Sequence, residues 1–327
     1  MTRIRDRIDE YRAKCIECGQ CREVCPSYRH GGCDPLAVML GDDKAVFDCV
    51  GCGECSRICP ETDPKTVMLA AYSIVTGMEV SECFRETGLA RPLREESSRT
   101  ELPPGWTGDD VYVMPGCIVR CWNPHLEHSV PSAFGSFGIR CTELPGFTCC
   151  MYPIQFGCME DEERDGYRTR MGESADGRPM VTMCAGCSEI MQMSGVECEH
   201  MIVFLHRHVD DLPVLKRSIK VSMEPGCAAK PFASEMREIL EHMGCDIVNK
   251  ESGCCGKASR KVASVLMSER QDAAKDSDVI VVGCPMCFEK YDSLPGGKPV
   301  LYITELVAIA SGDGSTLRYH RTPVDLF

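Results

Sequence analysis

The sequence lacks several features that would assign it to a familiar class of protein. None of its apolar runs reaches the roughly eighteen residues that a membrane-spanning helix needs. Its first residues are charged, whereas a secretory signal has an apolar core. It carries 36 basic against 49 acidic residues, and no basic patch suited to nucleic acid stands out. We therefore expect a cytoplasmic protein that does not bind nucleic acid.

The sequence also lacks a glycine-rich dinucleotide fingerprint. If a flavin takes part in the chemistry, it must therefore be bound by another subunit. The apolar fraction of 43% is ordinary for a globular protein, and 327 residues are enough for two or three domains.

Cysteine, in contrast, is unusually abundant, with 25 residues that occur in clusters. A disulfide scaffold is one explanation for such a count. That explanation fits poorly, because a chain of this length does not need covalent staples, no export signal is expected, and the spacings repeat as metal-ligand motifs. Gathered thiolates suit soft metal centres such as iron–sulfur clusters or zinc.

Two matching cysteine runs lie near the N-terminus, each with the pattern C-x-x-C-x-x-C-x-x-x-C-P. Their members are Cys15, Cys18, Cys21 and Cys25 in the first run, and Cys49, Cys52, Cys55 and Cys59 in the second. This is the bacterial ferredoxin pattern, in which the last cysteine of each run ligates the other cluster. Zinc is the alternative, but a three-plus-one run that occurs twice is specific for iron–sulfur clusters. We predict two [4Fe–4S] cubanes, one on Cys15, Cys18, Cys21 and Cys59, the other on Cys49, Cys52, Cys55 and Cys25.

The residues around these runs indicate a helical domain over residues 1–90. The 23 residues between Cys25 and Cys49, together with a helical pattern at 66–77, resemble the helical ferredoxin domains of respiratory reductases. Residues 91–110 are rich in proline, glycine and charge, and we interpret them as a linker. Cys33 and Cys83 lie outside the motifs and are expected to be ordinary cysteines.

The rest of the chain contains two groups of five cysteines in the same order: a lone cysteine, an adjacent pair and a C-x-x-C. The groups are Cys117, Cys149, Cys150, Cys184 and Cys187, then Cys227, Cys254, Cys255, Cys284 and Cys287. The pattern predicts strands at 111–115, 180–183, 220–223 and 279–282, and helices at 124–138, 160–175, 232–243 and about 257–275. A repeat of about 105 residues is too long for a solenoid, so we predict duplicated α/β domains at 111–212 and 213–327.

The fifth cysteine of each group needs an explanation, because four thiolates complete the ligation of a cubane. One cysteine could be spare, but the fifth recurs at the equivalent place in both halves. The first group has 31 residues before its pair and 33 after it. With these spacings the chain resembles the double-cysteine (CCG) domains of heterodisulfide reductases. With the ferredoxin module in front, it resembles the single-chain form of their catalytic subunit over nearly its whole length.

The resemblance implies an α+β fold, with a helical two-cluster ferredoxin domain followed by two α/β cysteine-rich (CCG) domains. It implies a non-cubane [4Fe–4S] cluster on each group of five, which makes those ten cysteines catalytic as cluster ligands. It also implies reduction of a small-molecule disulfide, which in this family is the mixed disulfide of coenzyme M and coenzyme B in methanogenesis. The ferredoxin clusters would supply single electrons, and each non-cubane cluster would capture one sulfur.

The sequence departs from the family pattern at three places. Met151 follows the first pair where the family has glycine, which Gly256 keeps after the second pair. That glycine is expected to let the backbone approach the cluster. The second group is shorter, with 26 residues before its pair and 28 after it, and Ala258-Ser259 replaces a Gly-Gly.

Two other functions fit the same layout. Iron–sulfur subunits of glycerol-3-phosphate, glycolate and lactate oxidising enzymes and of thiol:fumarate reductase relay electrons, while a flavin partner does the chemistry. A non-catalytic cluster carrier or assembly factor is the other alternative. Expected partners are a membrane cytochrome, which would place the protein peripherally at a membrane, a flavin subunit, or a hydrogenase or formate dehydrogenase complex. The residues near ligand cysteines that could donate protons are expected to be structural or solvated: His125, His128, Lys230 and Lys257.

Overall fold

The computed structural model describes residues 2–77, 106, 108–146, 149–151, 161–193, 195–249, 252–256 and 259–325. Most of the predicted linker, together with Cys83 and Lys257, lies outside the described residues. The chain divides into two compact units. The first unit comprises Met1–Glu82, Met151–Tyr167 and Cys254–Glu269, and the second comprises Cys83–Cys150, Arg168–Gly253 and Arg270–Phe327.

The N-terminal part of the first unit is helical, as predicted. Its helices are α1 (Thr2–Arg12), α2 (Gln20–Glu23), α3 (Pro26–Arg29), α4 (Pro35–Met39), α5 (Glu54–Ile58) and α6 (Pro64–Thr76), with a 3₁₀ turn at Asp43–Val46. Helices α4 and α6 begin with proline and are capped by the carboxylates of Asp34 and Asp63, which accept backbone N–H groups that would otherwise be unpaired. The buried core consists of Ile8, Val38, Met39, Val46, Val67, Met68, Ala70 and Ala71. This core fixes α1, α4 and α6 and supports the segments that carry the two cysteine runs.

The second unit contains two parallel sheets with the same topology. The first has the order β2-β1-β3-β4 and consists of β1 (Val111–Met114), β2 (Cys141–Glu143), β3 (Met180–Thr182) and β4 (Cys198–His200). The second has the order β6-β5-β7-β8 and consists of β5 (Lys220–Glu224), β6 (Asp246–Ile247), β7 (Val279–Val282) and β8 (Val300–Tyr302). Every residue of β1, β3, β7 and β8 is buried, as in parallel sheets that are covered on both faces.

Helices connect these strands in both halves. They are α7 (Cys117–Trp122), α8 (His125–Gly135), α9 (Asp161–Ala175), α10 (Ala185–Met193), α11 (Met201–Arg207), α12 (Ala233–His242), α13 (Ala263–Ala273), α14 (Pro285–Asp292) and α15 (Ile303–Ala310). Helix α13 is described from Ala263, later than the predicted start near 257. Helix α8 of the first half packs on α15 of the second, and the hydroxyls of Ser129 and Thr304 lie 2.6 Å apart there. The fold is α+β, with a helical N-terminal part and two α/β repeats, as predicted.

No helix in the described part of the chain combines the length and the low polarity that crossing a bilayer requires.

Candidate metal centres

Two cavities in the first unit are lined by the cysteines of the N-terminal runs. One cavity is lined by Cys15, Cys18, Cys21 and Cys59. The other is lined by Cys25, Cys49, Cys52 and Cys55, and also by Cys33. Each cavity therefore combines three cysteines of one run with the last cysteine of the other, which suits two cubane clusters. The ligation itself stays a prediction.

Local backbone geometry brings the thiols of each run together. Gly19 and Gly53 lie between the second and third cysteines of their runs, with φ of 80° and 78°, and directly precede α2 and α5. Glycine adopts this left-handed conformation at little cost, so the chain can turn sharply between two ligands. Cys25 caps α3, where its sulfur accepts the N–H of Tyr28 at 3.4 Å.

Cys33 is the unexpected member of the second cavity. It is buried, and its Sγ lies 3.8 Å from that of Cys25. A hydrogen bond from the Cys33 thiol lowers the pKa of Cys25 to about 7, against the effect of burial. The thiol of Cys33, which was expected to be an ordinary cysteine outside the motifs, therefore lines a predicted cluster cavity. Because Cys33 lies outside both cysteine runs, the sequence did not indicate that it lines this cavity.

The five cysteines of the first group come together in the second unit. Cys117 begins α7, Cys184 lies between β3 and α10, and Cys187 lies within α10. Cys149 and Cys150 are buried. The Cys117 thiol is hydrogen-bonded to Cys149, and that of Cys187 to Cys150 and Cys184. Cys117 and Cys184 follow β1 and β3, and ligands of open α/β sheets generally bind at the carboxyl ends of their strands.

The electrostatics of this group suit a metal centre. Its hydrogen bond to Cys149, followed by burial, raises the pKa of Cys117 above its usual range. Hydrogen bonds to Cys150 and Cys184, followed by burial, also raise the pKa of Cys187. The hydrogen bond that Cys184 receives from Cys187 lowers the pKa of Cys184 to about 7. Crowded buried thiolates would repel one another, and a soft cationic centre removes both that repulsion and the cost of burial. The donor set therefore fits an iron–sulfur cluster, with one thiol more than a cubane requires.

A glycine allows close packing at the C-x-x-C of both halves. Gly116 has a φ of 85°, and a Cβ there would lie 3.1 Å from the Sγ of Cys187. Gly226 has a φ of 91°, and its Cβ would lie 2.5 Å from the Cβ of Cys284. The repeated Gly-Cys dipeptide was visible in the sequence, but the contact that explains it was not.

The second group is divided between the two units. Cys227, Cys284 and Cys287 belong to the second unit, where Cys284 caps α14 and Cys287 lies within it. Cys254 and Cys255 belong to the first unit. The predicted ligation by all five cysteines of this group stays a prediction.

The segment that follows the second pair packs within the first unit, next to one of the N-terminal runs. The Asp48 carboxylate, adjacent to Cys49, accepts the Ser259 hydroxyl at 2.7 Å and the Lys261 N–H at 3.0 Å. The N–H of Lys261, followed by the hydroxyl of Ser259, lowers the pKa of Asp48. The departure from glycine at Ser259 therefore has a structural role, since its hydroxyl fixes this segment on the loop that leads to Cys49.

The residues after the two pairs share one backbone conformation. Gly256 has a φ of 67° and Met151 a φ of 60°, and the Met151 side chain is fully buried. A Cβ on Gly256 would lie 2.8 Å from the Cα of Ala263. Gly256 therefore permits a close approach to the start of α13, and its own N–H donates to the Sγ of Cys254 at 3.4 Å. The expectation that this glycine serves the approach to a cluster stays a prediction.

Two residues beside the C-x-x-C motifs were missed by sequence reasoning. His200 and Tyr302 end β4 and β8 with the same φ and ψ, −76° and 148°. The Tyr302 hydroxyl donates to the carbonyl of Met183, next to Cys184, at 2.6 Å. Burial, followed by the nearby thiolates, raises the pKa of Tyr302, and burial lowers that of His200 to about 3. Both side chains are therefore neutral, and only the packing of the two halves places them here.

The four residues considered as proton donors lie in different environments. His125 is buried, His128 is half-buried and Lys230 is exposed, while Lys257 lies outside the described residues.

Comparison with known proteins identifies the domains. The model of the 4Fe-4S dicluster domain matches residues 7–69, and that of the cysteine-rich (CCG) domain matches residues 111–192 and 221–290. A search of curated proteins gave no match. Among solved structures, the chain is similar to arylmalonate decarboxylase, with a TM-score of 0.25 and 14% identity over 63% of this chain and 93% of that chain. It is also similar to a glutamate racemase isoform from Bacillus anthracis, with a TM-score of 0.28 and 12% identity over 64% of this chain and 81% of that chain.

Similarity at these TM-scores supports no statement about fold or function, so the identification rests on the two domain models and the cysteines they contain. The chain is therefore an iron–sulfur electron-transfer protein in which a 4Fe-4S dicluster domain is followed by two cysteine-rich domains of the CCG type.

Proposed function

We propose that this protein reduces a small-molecule disulfide in the manner of heterodisulfide reductases. The observation that carries the proposal is the convergence of five cysteines in the first group, with a hydrogen bond from Cys117 to Cys149 and another from Cys187 to Cys150. A cubane uses four thiolates, whereas a non-cubane cluster uses five. The excess thiol therefore favours a centre that differs from the electron-relay cubanes.

The chain's own cysteines would hold four clusters. The cubanes would lie on Cys15, Cys18, Cys21 and Cys59, and on Cys49, Cys52, Cys55 and Cys25. The non-cubane clusters would lie on Cys117, Cys149, Cys150, Cys184 and Cys187, and on Cys227, Cys254, Cys255, Cys284 and Cys287. When bound, a non-cubane cluster would supply single electrons and an iron that accepts a substrate sulfur. Two electrons and two protons convert one disulfide to two thiols, so two such centres match the reaction.

Contacts within the first unit support electron supply from the dicluster domain to Cys254 and Cys255. Ser259 and Lys261 bond to Asp48, next to Cys49, and Glu269 pairs with Arg29 and His30 at 2.9 Å each. These contacts hold the segment that carries Cys254 and Cys255 on the dicluster domain. We propose that a membrane cytochrome, a flavin subunit, or a hydrogenase or formate dehydrogenase complex supplies the electrons.

The buried groups beside the C-x-x-C motifs would keep the site rigid and uncharged. Tyr302 keeps its proton on Oη and donates it to the carbonyl of Met183. His200 is neutral and accepts the N–H of Ile202 at its Nδ1 at 3.3 Å. Because these groups add no charge, the thiolates and the clusters set the local potential.

Electron paramagnetic resonance of the oxidised protein tests the proposal. Titration with coenzyme M or coenzyme B thiol is expected to produce a paramagnetic thiol-bound species. Iron is expected at about 16 atoms per chain for four [4Fe–4S] clusters. Cys149→Ser should lower this to about 12 and reduce the thiol-dependent signal, whereas Cys198→Ser, at a half-buried cysteine outside both groups, should leave both unchanged. Cubane signals alone, with no response to thiol, would contradict the proposal.

One observation favours a second candidate function. Cys254 and Cys255 belong to the same compact unit as the dicluster domain. A chain that relays electrons to a flavin-containing partner, as in glycolate or glycerol-3-phosphate oxidising enzymes, needs closely linked clusters and no substrate site. Reduction of an added flavoprotein partner, without any response to thiols, would support this alternative.

A further inference from the structure

A second kind of donor cluster lies in the second unit, built from nitrogen and oxygen atoms. One nitrogen of His125, one of His320 and one carboxylate oxygen of Glu305 all lie within 4.8 Å of one another. His125 begins α8, Glu305 lies in the first turn of α15, and His320 follows the 3₁₀ helix Ser315–Tyr319. The three side chains therefore come from widely separated segments that only the fold brings together.

Burial leaves part of this cluster without partners. The side chains of Glu305 and His320 are fully buried, and His125 is 6% exposed. The Nε2 atom of His125 has no hydrogen-bond partner among the described residues. A buried polar atom without a partner is unfavourable, and a bound cation would give this nitrogen a partner.

The neighbouring groups hold the cluster in a form that can bind a cation. Glu305 Oε2 accepts the N–H of Tyr302 at 2.9 Å, and Glu305 Oε1 lies 2.9 Å from His320 Nε2. Burial lowers the pKa of His125 to about 4, so that this imidazole is neutral and keeps a free lone pair. The ring of His125 packs against the rings of Phe288 and Tyr319, with distances between ring centroids of 5.4 Å and 5.8 Å, and this packing limits the movement of His125.

An ion pair between His320 and Glu305 is the simpler explanation of the cluster. Burial alone would lower the pKa of His320, but the charge of Glu305 raises it. A proton on His320 can therefore neutralise the Glu305 carboxylate. That explanation leaves Nε2 of His125 unpaired beside the pair. A divalent metal ion would neutralise the same carboxylate and use both imidazoles. Two histidines and one glutamate, with water as the fourth ligand, form a common zinc donor set.

We propose that His125, Glu305 and His320 bind one Zn²⁺ ion, separate from the cysteine sites, that joins the two α/β halves. Helix α8 belongs to the first half, whereas α15 and the segment of His320 belong to the second. Ligand atoms around tetrahedral zinc lie about 3.3 Å apart, so side-chain rotations would complete the geometry. The ion would clamp α8 to α15 where these helices already pack together.

Zinc X-ray absorption on the full-length, iron-loaded protein tests this proposal. After incubation with one equivalent of Zn²⁺ and removal of unbound metal, we expect about one zinc per chain with nitrogen and oxygen ligands at about 2.0–2.1 Å. His125→Phe keeps an aromatic ring against Phe288 and should lower bound zinc at least tenfold. His128→Phe, one turn along α8 and also near Tyr319, is the matched control and should retain it.

Iron content and cubane signals of each variant show whether it has folded. If His125→Phe loses its iron, Glu305→Gln replaces it, because glutamine still accepts the N–H of Tyr302 but lacks the charge. If neither variant folds, the zinc X-ray absorption spectrum of the unmodified protein tests the proposal through the type of ligand atom and its distance from the zinc. Sulfur ligands at about 2.3 Å would place the zinc in a cysteine site and overturn the proposal. Absence of bound zinc in the unmodified protein would also overturn it.

Discussion

The two cysteine-rich halves of this protein have the same sheet topology but differ at their adjacent cysteines. Both have four parallel strands in the same order, and both place a positive-φ glycine before the lone cysteine. In the first half the pair Cys149-Cys150 lies with the other three cysteines of its group in one compact unit. In the second half the pair Cys254-Cys255 lies in the unit of the dicluster domain.

The two halves keep the same backbone conformation at equivalent positions but differ in residue type. Backbone conformation is kept where thiols or helices approach closely, as at Gly116 and Gly226. The residue type differs after the cysteine pairs, where the first half has Met151 and the second has Gly256. Burial of the Met151 side chain offsets the cost of its left-handed backbone conformation.

The largest expected effect comes from alanine at the two equivalent glycines. Gly226→Ala should lower the free energy of unfolding by about 3 kcal/mol or more, because its Cβ would lie 2.5 Å from the Cβ of Cys284 at a positive φ. Gly116→Ala should cost less, about 1–2 kcal/mol, because its Cβ would lie 3.1 Å from the Sγ of Cys187, a longer contact than at Gly226. Anaerobic urea unfolding measures both. Equal costs would mean that the halves do not differ in packing here.

Substitution of the residue after each cysteine pair tests whether burial of the Met151 side chain compensates for its left-handed backbone conformation. Met151→Gly should lower stability by about 2 kcal/mol, since loss of the buried side chain exceeds the roughly 1 kcal/mol of relieved backbone strain. Gly256→Ala should also destabilise, because the added Cβ would lie 2.8 Å from the Cα of Ala263. Thermal unfolding of the iron-loaded variants checks both changes. A more stable Met151→Gly variant would show that the methionine is only tolerated.

A buried carboxylate gives the second half a pH dependence that the first half lacks at the equivalent residue. Burial raises the pKa of Glu224 to about 7, although the N–H of Gly253 and the charge of Arg270 oppose it, whereas Met114 occupies the equivalent position. A raised carboxyl pKa means that the folded state binds the proton more tightly, so stability falls as pH rises from about 4.5 to 7. Glu224→Gln should flatten this dependence and add about 2 kcal/mol above pH 7. Melting temperatures between pH 5 and 8 measure it, and an unchanged slope would contradict the assignment.

The smallest expected effect concerns the attachment of the second pair's segment to the dicluster domain. Ser259→Ala removes the hydrogen bond to Asp48 and should cost about 1 kcal/mol. Hydrogen exchange in the peptide over 259–269 should become faster. Ser73→Ala, which removes only a bond within α6, is the control and should leave that peptide unchanged. Unchanged exchange in Ser259→Ala would mean that other contacts hold the segment.

Much of the secondary structure could be predicted because periodic burial leaves a local pattern. The strand predicted at 279–282 is observed at Val279–Val282, and the helix predicted at 160–175 is observed at Asp161–Ala175. No element was predicted for the apolar segment 300–309, which contains strand β8 and most of helix α15, because a short apolar run has no period that separates a strand from a helix. The described helix α13 begins at Ala263, later than the predicted start near 257.

The sequence by itself determined the cysteine motifs, the duplication and the α+β class. These follow from spacings of a few residues and from a repeat, which local geometry translates directly into structure. Only the tertiary structure decided that Cys33 lines a cluster cavity, that Ser259 binds Asp48, and that His125, Glu305 and His320 meet. The physical reason is that these contacts join residues far apart in the chain. Their positions depend on how helices and sheets pack, and no short-range pattern in the sequence records that packing.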